Sequence, residues 1–588
     1  MAASLIALAV LAIPPALAQT PAPGSAVTSF GASGIASAGP GVRLFGTAVQ
    51  TDGKALAVGE SGLPSALDLV LVRFTANGVL DPKFGSGGVV HGPAIAGLLG
   101  TGSLGRAVAI QPDGKIVVVG TSTVPDGSAT TGILIERFNS NGAVDTTFGT
   151  GGAVTALAHS LADGYAVAVQ PNGQIIATGS ANAAGSGGVT PRVAVVRLNA
   201  NGSLDPSFGS GGASVLDFGS FSTALTVALQ SDGKIVIGGS QSPGLQVQNA
   251  LIARLTPSGA PDPSFGSGGA YAHQYAIGAA SSTFDALAIQ SNGSIVAAGS
   301  ATQGNTGANA IVARFTTAGT PDGSFGGGVV AQPSASGTVI GGTIPGVTGV
   351  GLAHNGDIIA GGSVAQAGFS HIAVWAFKPT GALDTGFGTA GTVATSLGAT
   401  TSGTGNALAI GPAGQVVVAG DAKAITGVYS GVETAYNGFA PPVPPPPAFK
   451  LSLKGVSGKY KIATVAKHGL KVGVACNGAC TIKASLTLSA STAKRLHILT
   501  TFRKCTKKKG KQHCVKARGY RTVTLASGKA TLKRAGTHTF TLRIGKGYAK
   551  ALKQVKKRQS VTANLRVTAT SSTTHKGKTI NKHLTFTG

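Results

Sequence analysis

A unit of about sixty residues recurs seven times in the first 440 residues, and this repeat limits the folds available to the chain. One marker is a Phe-Gly block such as DPSFGSGG, and its aromatic residues are Phe30, Phe84, Phe148, Phe208, Phe265, Phe325 and Phe387. The other is a turn block such as AVAIQPDGKIVVVG, and its turn glycines are Gly53, Gly114, Gly173, Gly233, Gly293, Gly356 and Gly414. A period of this length is typical of folds whose units bury their apolar faces on neighbouring copies.

Each copy contains four candidate strands. Two apolar runs flank an Asp-Gly or Asn-Gly pair, which favours a tight hairpin. A third run such as ILIERFN (133–139) follows, and GGVV after the Phe-Gly block supplies a fourth. Seven four-stranded antiparallel units predict an all-β protein with a seven-bladed β-propeller over residues 29–439.

The strings LDPSFGSGG and AVAIQPDGKIVVVG resemble the delta-60 repeats of bacterial surface and secreted proteins. The resemblance covers about residues 29–439. It implies a propeller-type repeat fold and brings no catalytic residues to carry over. The last copies depart from the pattern, since Ala413 replaces the turn Asp or Asn and Ala376 stands where earlier copies have Arg. Weak terminal copies are typical of capping units, and they leave blade register and ring closure open.

Two charged residues recur with the repeat. The acids are Asp81, Asp145, Asp205, Asp262, Asp322 and Asp384, and the bases are Arg73, Arg137, Arg197, Arg254 and Arg314. They could form a ring of calcium or ligand contacts, or an Asx-type turn bond with an Arg–Asp pair in each copy. We favour the structural interpretation, because Asp stabilises turns by bonding nearby backbone.

No catalytic constellation is apparent in the sequence. His91, His159, His273, His354 and His371 are scattered, without a His-Glu-x-x-His motif. Trp375 lies in the apolar run HIAVWAF, which indicates a core position, and no Gly-x-Ser-x-Gly elbow occurs in a strand–turn–helix context. The sequence therefore predicts no catalytic residue, no metal site and no cofactor.

The N-terminus and the junction after the repeats carry processing and linker signals. An apolar run over residues 5–13 is followed by Ala16-Leu17-Ala18, which predicts a signal peptide over residues 1–18. No Lys or Arg precedes this run, so the true start codon stays open. We expect a secreted or cell-surface protein of bacterial type without a transmembrane span. A Pro-rich stretch predicts a linker over residues 440–448.

The composition changes sharply after the linker. Residues 450–588 contain 32 Lys and Arg and no Asp or Glu, whereas the preceding residues hold 14 basic and all 19 acidic residues. Alternation of apolar residues with Lys, Thr or Ser predicts strands with one buried face. We predict a basic β-sandwich over residues 449–588, resembling the immunoglobulin- or fibronectin-like C-terminal modules of secreted bacterial proteins.

All four cysteines lie in this basic region, at Cys476, Cys480, Cys505 and Cys514. An even set in an exported domain predicts two disulfides. Sequence proximity favours Cys476–Cys480 and Cys505–Cys514, although three connectivities are open. A four-thiolate zinc site is the alternative, and the C-x3-C and C-x8-C spacings fit it poorly.

Basic residues cluster at two places in this region, and they are the candidate polyanion-binding residues. The first cluster contains Arg503, Lys504, Lys507, Lys508, Lys509, Lys511, Lys516, Arg518 and Arg521, and the second contains Lys553, Lys556, Lys557 and Arg558. A solvated face that keeps the protein soluble is the alternative. Because the region has no acidic residue, its self-repulsion favours a polyanion. The excess of Lys over Arg favours anionic cell-envelope polymers or lipid headgroups over nucleic acid.

These features predict an exported, non-enzymatic binding or scaffold protein. The propeller would bind an unknown protein or glycan, and the basic domain would tether the chain to the anionic envelope. One alternative is a hydrolase or other enzyme with a site in the central channel of the propeller. Another is a secreted nucleic-acid-binding protein. The ligand of the propeller and the oligomeric state do not follow from the sequence.

Overall fold

The computed structural model divides the chain into two units, Met1–Pro442 and Val443–Gly588. The described residues are 21–63, 66–92, 103–124, 130–182, 190–244, 247–275, 280–303, 308–333, 346–366, 368–439, 450–477, 479–498, 500–508, 511–555, 559–572 and 577–588. The predicted signal peptide and linker lie outside them. Among these residues, no helix has the length and apolar character needed to cross a membrane.

The first unit is built from antiparallel β-strands. They are β1 Ile35–Pro40, β2 Val42–Val49, β3 Ala55–Leu63, β4 Ala66–Phe74, β5 Val89–His91, β6 Leu104–Ile110, β7 Ile116–Thr123, β8 Thr131–Phe138, β9 Ala153–Ala156, β10 Asp163–Val169, β11 Ile175–Asn182, β12 Pro191–Leu198, β13 Ala213–Leu216, β14 Phe221–Leu229, β15 Ile235–Gly244, β16 Val247–Leu255, β17 Ala270–His273, β18 Ala280–Ile289, β19 Ile295–Gln303, β20 Ala308–Phe315, β21 Val329–Pro333, β22 Val347–Leu352, β23 Ile358–Gln366, β24 Phe369–Phe377, β25 Thr392–Thr395, β26 Thr401–Ile410, β27 Val416–Ala424 and β28 Tyr429–Tyr436. A 3-10 turn covers Gly326–Gly328.

These strands form a repeated four-stranded sheet, which confirms the predicted all-β repeat. Within the described residues the sheets run β2-β3-β4-β5, β6-β7-β8-β9, β10-β11-β12-β13, β14-β15-β16-β17, β18-β19-β20-β21, β22-β23-β24-β25 and β26-β27-β28-β1. The N-terminal strand β1 pairs with β28 and so completes the last sheet. A parallel bridge from Gln248 to Ser281 joins the fourth and fifth sheets.

The first strand of each sheet contacts the first strand of the next sheet. The contacts run from β2 to β6, β10, β14, β18, β22 and β26, and β26 contacts β2. The first and last sheets of the repeat region are therefore neighbours.

The core lies between successive sheets. One apolar cluster joins Leu56 and Val58 of the first sheet to Ile116 and Val118 of the second. Six of the seven Phe markers are fully buried, and Phe30 is 3% exposed. Strands covered on both faces explain why their sequences are continuously apolar.

The second unit contains ten strands and three short helices among its described residues. They are β29 Leu451–Lys454, β30 Lys459–Lys461, α1 Ile462–His468, β31 Leu470–Cys476, β32 Cys480–Leu488, α2 Ala490–Arg495, β33 Thr500–Lys508, β34 Lys511–Gly519, β35 Val523–Leu532, β36 Gly536–Leu542, α3 Lys546–Leu552, β37 Ser560–Ser571 and β38 Gly577–Thr587. The sheets run β29-β31-β36, β30-β38-β37-β32-β35 and β33-β34. Alternating burial along β37 places its apolar side chains in one shared core.

Both disulfides are present in the second unit, as predicted. Cys476 bonds Cys480 and connects the end of β31 to the start of β32. Cys505 bonds Cys514, its direct cross-strand partner in the β33–β34 hairpin.

Candidate functional site

The recurrent Arg and Asp residues form a link between successive copies. In five copies the Arg Nε donates to the Asp eight residues later, as Arg137 does to Asp145 at 2.7 Å. The guanidinium stacks on the Phe marker at 4.3–5.0 Å from the ring centroid. Arg Nη1 then donates to a carbonyl of the next copy, for example Ala200 O from Arg137. We call this arrangement the Arg–Asp link.

The Asp of each link is also fixed by its own turn. Asp145 Oδ1 accepts from the Thr147 backbone N–H at 3.2 Å and from the Thr147 hydroxyl at 2.6 Å. Burial works against ionisation, but the hydrogen bonds from Lys115 and Thr147 and the charge of Arg137 hold the pKa of Asp145 well below its usual range. These contacts favour the structural interpretation of the recurrent charges.

The first strand of each sheet carries a β-bulge. The register shifts occur at corresponding places in β2, β6, β10, β14, β18, β22 and β26. The residues at these bulges, which we call the bulge residues, are Phe45, Arg106, Tyr165, Leu225, Asp285, Thr348 and Asn406. Bulges re-aim side chains and are frequent beside active sites. Here one register position holds a different residue type in every copy.

A glycine of the second strand makes room for each bulge. A Cβ on Gly120 would lie 1.8 Å from Leu104 O, and the equivalent glycines meet a first-strand carbonyl at 1.7–2.0 Å. Every bulge residue stands fourteen residues before this glycine, as Arg106 does before Gly120. Sequence reasoning missed the bulge residues, although this fixed spacing would have located them.

Two polar bulge residues are used for contacts between sheets. The Thr348 hydroxyl donates to Gly405 O at 2.8 Å. Asn406 Nδ2 donates to Leu44 O at 2.8 Å and to Asp421 Oδ2 at 3.1 Å. Their side chains therefore have a structural role.

Arg106 is different, because it forms no ion pair with any acid in the described ranges. Its guanidinium carbon lies 5.7 Å from the Phe45 ring centroid and 5.1 Å from that of Tyr165. Its Nε is buried and has no hydrogen-bond partner in the described part of the chain. Each of the other arginines of the first unit forms an ion pair, namely Arg43, Arg73, Arg137, Arg192, Arg197, Arg254 and Arg314.

Asp285 is the acidic bulge residue. The Thr283 hydroxyl donates to its Oδ2 at 3.0 Å. Burial raises the pKa of the Asp285 carboxyl to about 7, with the Thr283 hydrogen bond opposing the rise. A carboxyl with such a pKa can donate or accept a proton near neutral pH. Burial and the charge of Asp163 also raise the pKa of the Tyr165 phenol, against the effect of Arg106.

The histidines and Trp375 stay apart from this position. His91 lies 3.3 Å from the Ser61 hydroxyl, and His371 lies 3.2 Å from Gln366 O. His273 packs between Tyr271 and Tyr275 on an outer strand. Trp375 is 5% exposed and belongs to an apolar cluster. In the described ranges, no group of three or more His, Cys, Asp or Glu side chains could hold a metal ion.

The described part of the basic cluster is exposed. The predicted loop is the hairpin β33–β34, in which Arg503 stands directly opposite Lys516. The described side chains of both clusters are exposed at Arg503, Lys516, Arg518, Arg521 and Lys553. Residues Lys509, Lys556, Lys557 and Arg558 lie outside the described residues, as do the side chains of Lys504, Lys507, Lys508 and Lys511.

Two cavities in the first unit lie away from the bulge residues. One of about 580 Å³ is lined by Gly149, Thr150 and Asn201, and one of about 290 Å³ by Phe30, Gly53 and Gln415. Both touch the turn or Phe-Gly blocks, at the end of the sheets that carries the Arg–Asp links.

Five of the repeats match a family model described as "Domain of unknown function (DUF5122) beta-propeller". The matched segments are residues 50–84, 111–148, 170–208, 230–265 and 290–325, and each ends on a Phe marker. These repeats therefore fit a propeller-repeat family. No curated protein matches the sequence.

Similar solved structures include enzymes that act on sugars. Polysaccharide lyase Uly1 is 12% identical, with 67% of this chain and 90% of that chain covered and a TM-score of 0.36. A PL25 ulvan lyase is 10% identical, with coverages of 67% and 92% and a TM-score of 0.37. The aldose sugar dehydrogenase of Streptomyces coelicolor is 14% identical, with coverages of 68% and 98% and a TM-score of 0.30. At these identities the likeness concerns the fold alone.

The prediction of a non-enzymatic scaffold is wrong, and so is the exclusion of an enzyme. Lyases and a dehydrogenase are among the similar structures. A search for local motifs does not detect the bulge residues, because the bulges place Arg106 beside Phe45 and Tyr165, each about sixty positions away in sequence.

Proposed function

We propose that the first unit is a glycan-cleaving enzyme whose site is formed by the bulge residues. One observation carries the proposal. A register position repeated in seven sheets holds seven different residues, and two of them, Arg106 and Asp285, have no ion-pair partner among the residues that the structure describes. Residues that serve the fold recur in every copy, as the Arg–Asp links do. A position that varies while its backbone geometry is kept is the expected place for function.

The proposal includes a seven-bladed propeller of delta-60 type with the bulge residues around its central channel. The cyclic contacts of the first strands support this, as does the completion of the last sheet by β1. In propellers such strands surround a central channel. Clefts of this kind combine apolar walls with a few convergent polar groups. Phe45, Tyr165 and Leu225 would supply the walls.

Asp285 is the proposed proton donor. In hydrolysis its carboxyl would protonate the leaving oxygen of the glycosidic bond while water adds to the anomeric carbon. The remaining proton of that water returns to the carboxylate, so the enzyme is regenerated. A positioned acid of matched pKa contributes roughly 100- to 10,000-fold to such a step.

The test is chain cleavage by the purified full-length protein. It is incubated at neutral pH with polygalacturonate, alginate, ulvan, xylan and starch, and new reducing ends are counted. We expect cleavage of at least one polymer and, for Asp285→Asn, a rate at least about 100-fold lower. Asp232→Asn is the matched control, because this exposed carboxylate lies in an Asp-Gly turn beside Lys234. No cleavage of any polymer, or full activity of Asp285→Asn, would refute the proposal.

For the second unit we propose an immunoglobulin- or fibronectin-like sandwich that binds an anionic cell-envelope polymer or lipid headgroups. The packing of its strands around one apolar core supports the fold. Arg503 and Lys516 face each other across the β33–β34 pair, an arrangement that is unfavourable until an anion screens it. Disulfides are typical of oxidising compartments, which supports export.

Binding to isolated cell envelopes tests this partner with the full chain. We expect wild type to sediment with envelopes at low salt and to be released as salt rises. Replacing Arg503, Lys516 and Arg518 by Gln should lower the salt needed for release. Replacing Lys461, Lys467 and Lys471 by Gln removes the same charge elsewhere and should have a smaller effect. Equal effects would show that net charge alone acts, and no sedimentation would refute the proposal.

A further inference from the structure

We propose that Arg106, between the rings of Phe45 and Tyr165, is a subsite for a carboxylate or sulfate group of an acidic glycan. The inference rests on the proposed function and names its substrate class. The observation behind it is that Arg106 forms no ion pair within the described part of the chain. The other seven arginines of the first unit are ion-paired, and Arg43, which also contacts Phe45, bonds both Glu60 and Asp421.

The contacts of Arg106 leave its in-plane donors free. Stacking on Phe45 and Tyr165 uses the faces of the guanidinium, and no hydrogen bond of its N–H groups is found in the described residues. A carboxylate or sulfate group can accept two parallel hydrogen bonds from a guanidinium.

The surroundings favour an acidic glycan over a nucleic acid. Arg106 is the only cation at the bulge positions, and Asp285 occupies another of them. A polymer with a phosphate at every residue would need several cations and would be repelled by carboxylates. A glycan carries widely spaced charges on rings whose C–H faces pack against aromatic side chains. Phe45 and Tyr165 are half-buried aromatic side chains beside Arg106.

The experiment measures binding rather than turnover. Isothermal titration calorimetry in about 0.15 M salt compares trigalacturonate, a sulfated trisaccharide, maltotriose and sodium sulfate as probes of full-length Asp285→Asn. We expect one acidic trisaccharide to bind at least tenfold more tightly than maltotriose. Adding Arg106→Gln should weaken this binding at least tenfold. Arg106→Lys should retain part of the binding, because a lysine supplies charge without the paired donors.

The basic second unit is unchanged in every variant, so a difference between variants reports the subsite alone. Arg192→Gln is the matched control, because Asp217 already neutralises this arginine, and its affinity should stay within twofold. Equal affinity of Arg106→Gln and its parent overturns the subsite, as does the failure of every acidic probe to bind. Binding that depends on Arg106 without cleavage of any polymer upholds the subsite and refutes the enzyme. Cleavage that depends on Asp285 but not on Arg106 upholds the enzyme and refutes the subsite.

Discussion

Two positions in each sheet of the first unit differ in how they use arginine. At one of them the Arg–Asp link repeats in five copies with nearly identical distances, and its charge is matched inside the protein. At the bulge of the first strand the geometry also repeats, but the side chains differ, and Arg106 has no ion-pair partner among the described residues. The comparison distinguishes the link residues, which join successive copies, from the bulge residues, whose side chains vary from copy to copy. The predictions below test this distinction by the free energy of unfolding of substituted proteins.

The largest effect is expected from Arg137→Met. The substitution leaves Asp145 buried without its arginine and removes the bond to Ala200 O. Breaking a buried ion pair in this way costs about 3–5 kcal/mol. Arg106→Met removes no ion pair and also removes the buried Nε that lacks a partner, so it should not destabilise the protein and should stabilise it by up to about 1–3 kcal/mol. Urea unfolding of both variants measures the difference, and equal losses would contradict the comparison.

The same link sets a dependence on pH. Because the folded pKa of Asp145 is held below its unfolded value, the link stabilises the protein above about pH 4. That contribution is lost as the pH falls through the lower folded value. The gap in unfolding free energy between wild type and Arg137→Met should therefore narrow in acid. A gap that is constant from pH 7 to pH 3 would show that packing, and not charge, dominates the link.

A substitution beneath a bulge should have the next largest effect. Gly120→Ala places a Cβ against Leu104 O, so the backbone beside Arg106 has to move. Overpacking of this kind costs about 1–3 kcal/mol. Gly323→Ala is the control, since nothing lies within 4 Å of its added Cβ, and it should be neutral or slightly stabilising. If Gly120→Ala were equally harmless, the bulge would not depend on this glycine.

Glu136 offers a gain in stability. Its carboxyl is 1% exposed, lacks a hydrogen-bond partner among the described residues and replaces the Val72 and Val196 of other copies. Burial raises its pKa to about 8. The unfolded chain releases this proton near pH 4.5, so wild-type stability should fall as the pH rises from there to about 8. Glu136→Met should stabilise by about 1–3 kcal/mol at pH 7.

Unfolding of this variant and wild type at pH 5, 7 and 9 checks the slope. The advantage of Glu136→Met should be smallest at pH 5 and largest at pH 9. An advantage that does not grow with pH would mean that the carboxylate finds compensation in the folded protein.

The same contrast explains what could be predicted from the sequence. The turn glycines and Phe markers serve every copy, so their recurrence identified the strands and the repeated sheet. Bulge residues such as Arg106 and Asp285 differ between copies, and a search for recurrence discards them. What these positions share is a bulged backbone, and its trace in the sequence is the glycine that follows fourteen residues later. Helix α1 was also not predicted, because seven residues between two strands are too few to show a helical period.

The smallest effect concerns the second cation of the Arg–Asp link. Lys115 Nζ lies 2.8 Å from Asp145 Oδ2, but its side chain is 31% exposed. In the third copy Gln174 stands at the equivalent place and its Nε2 donates to Asp205 Oδ2 at 2.7 Å. A neutral amide already bonds the link Asp in the third copy. Lys115→Gln should therefore lower the free energy of unfolding by no more than about 0.5 kcal/mol, and this loss should disappear at high salt. Gln174→Lys is the reciprocal swap and should give a comparable change of opposite sign. A loss of several kcal/mol for Lys115→Gln would show that Lys115 neutralises Asp145. The pairing of Arg137 with Asp145 would then no longer explain the contrast with Arg106.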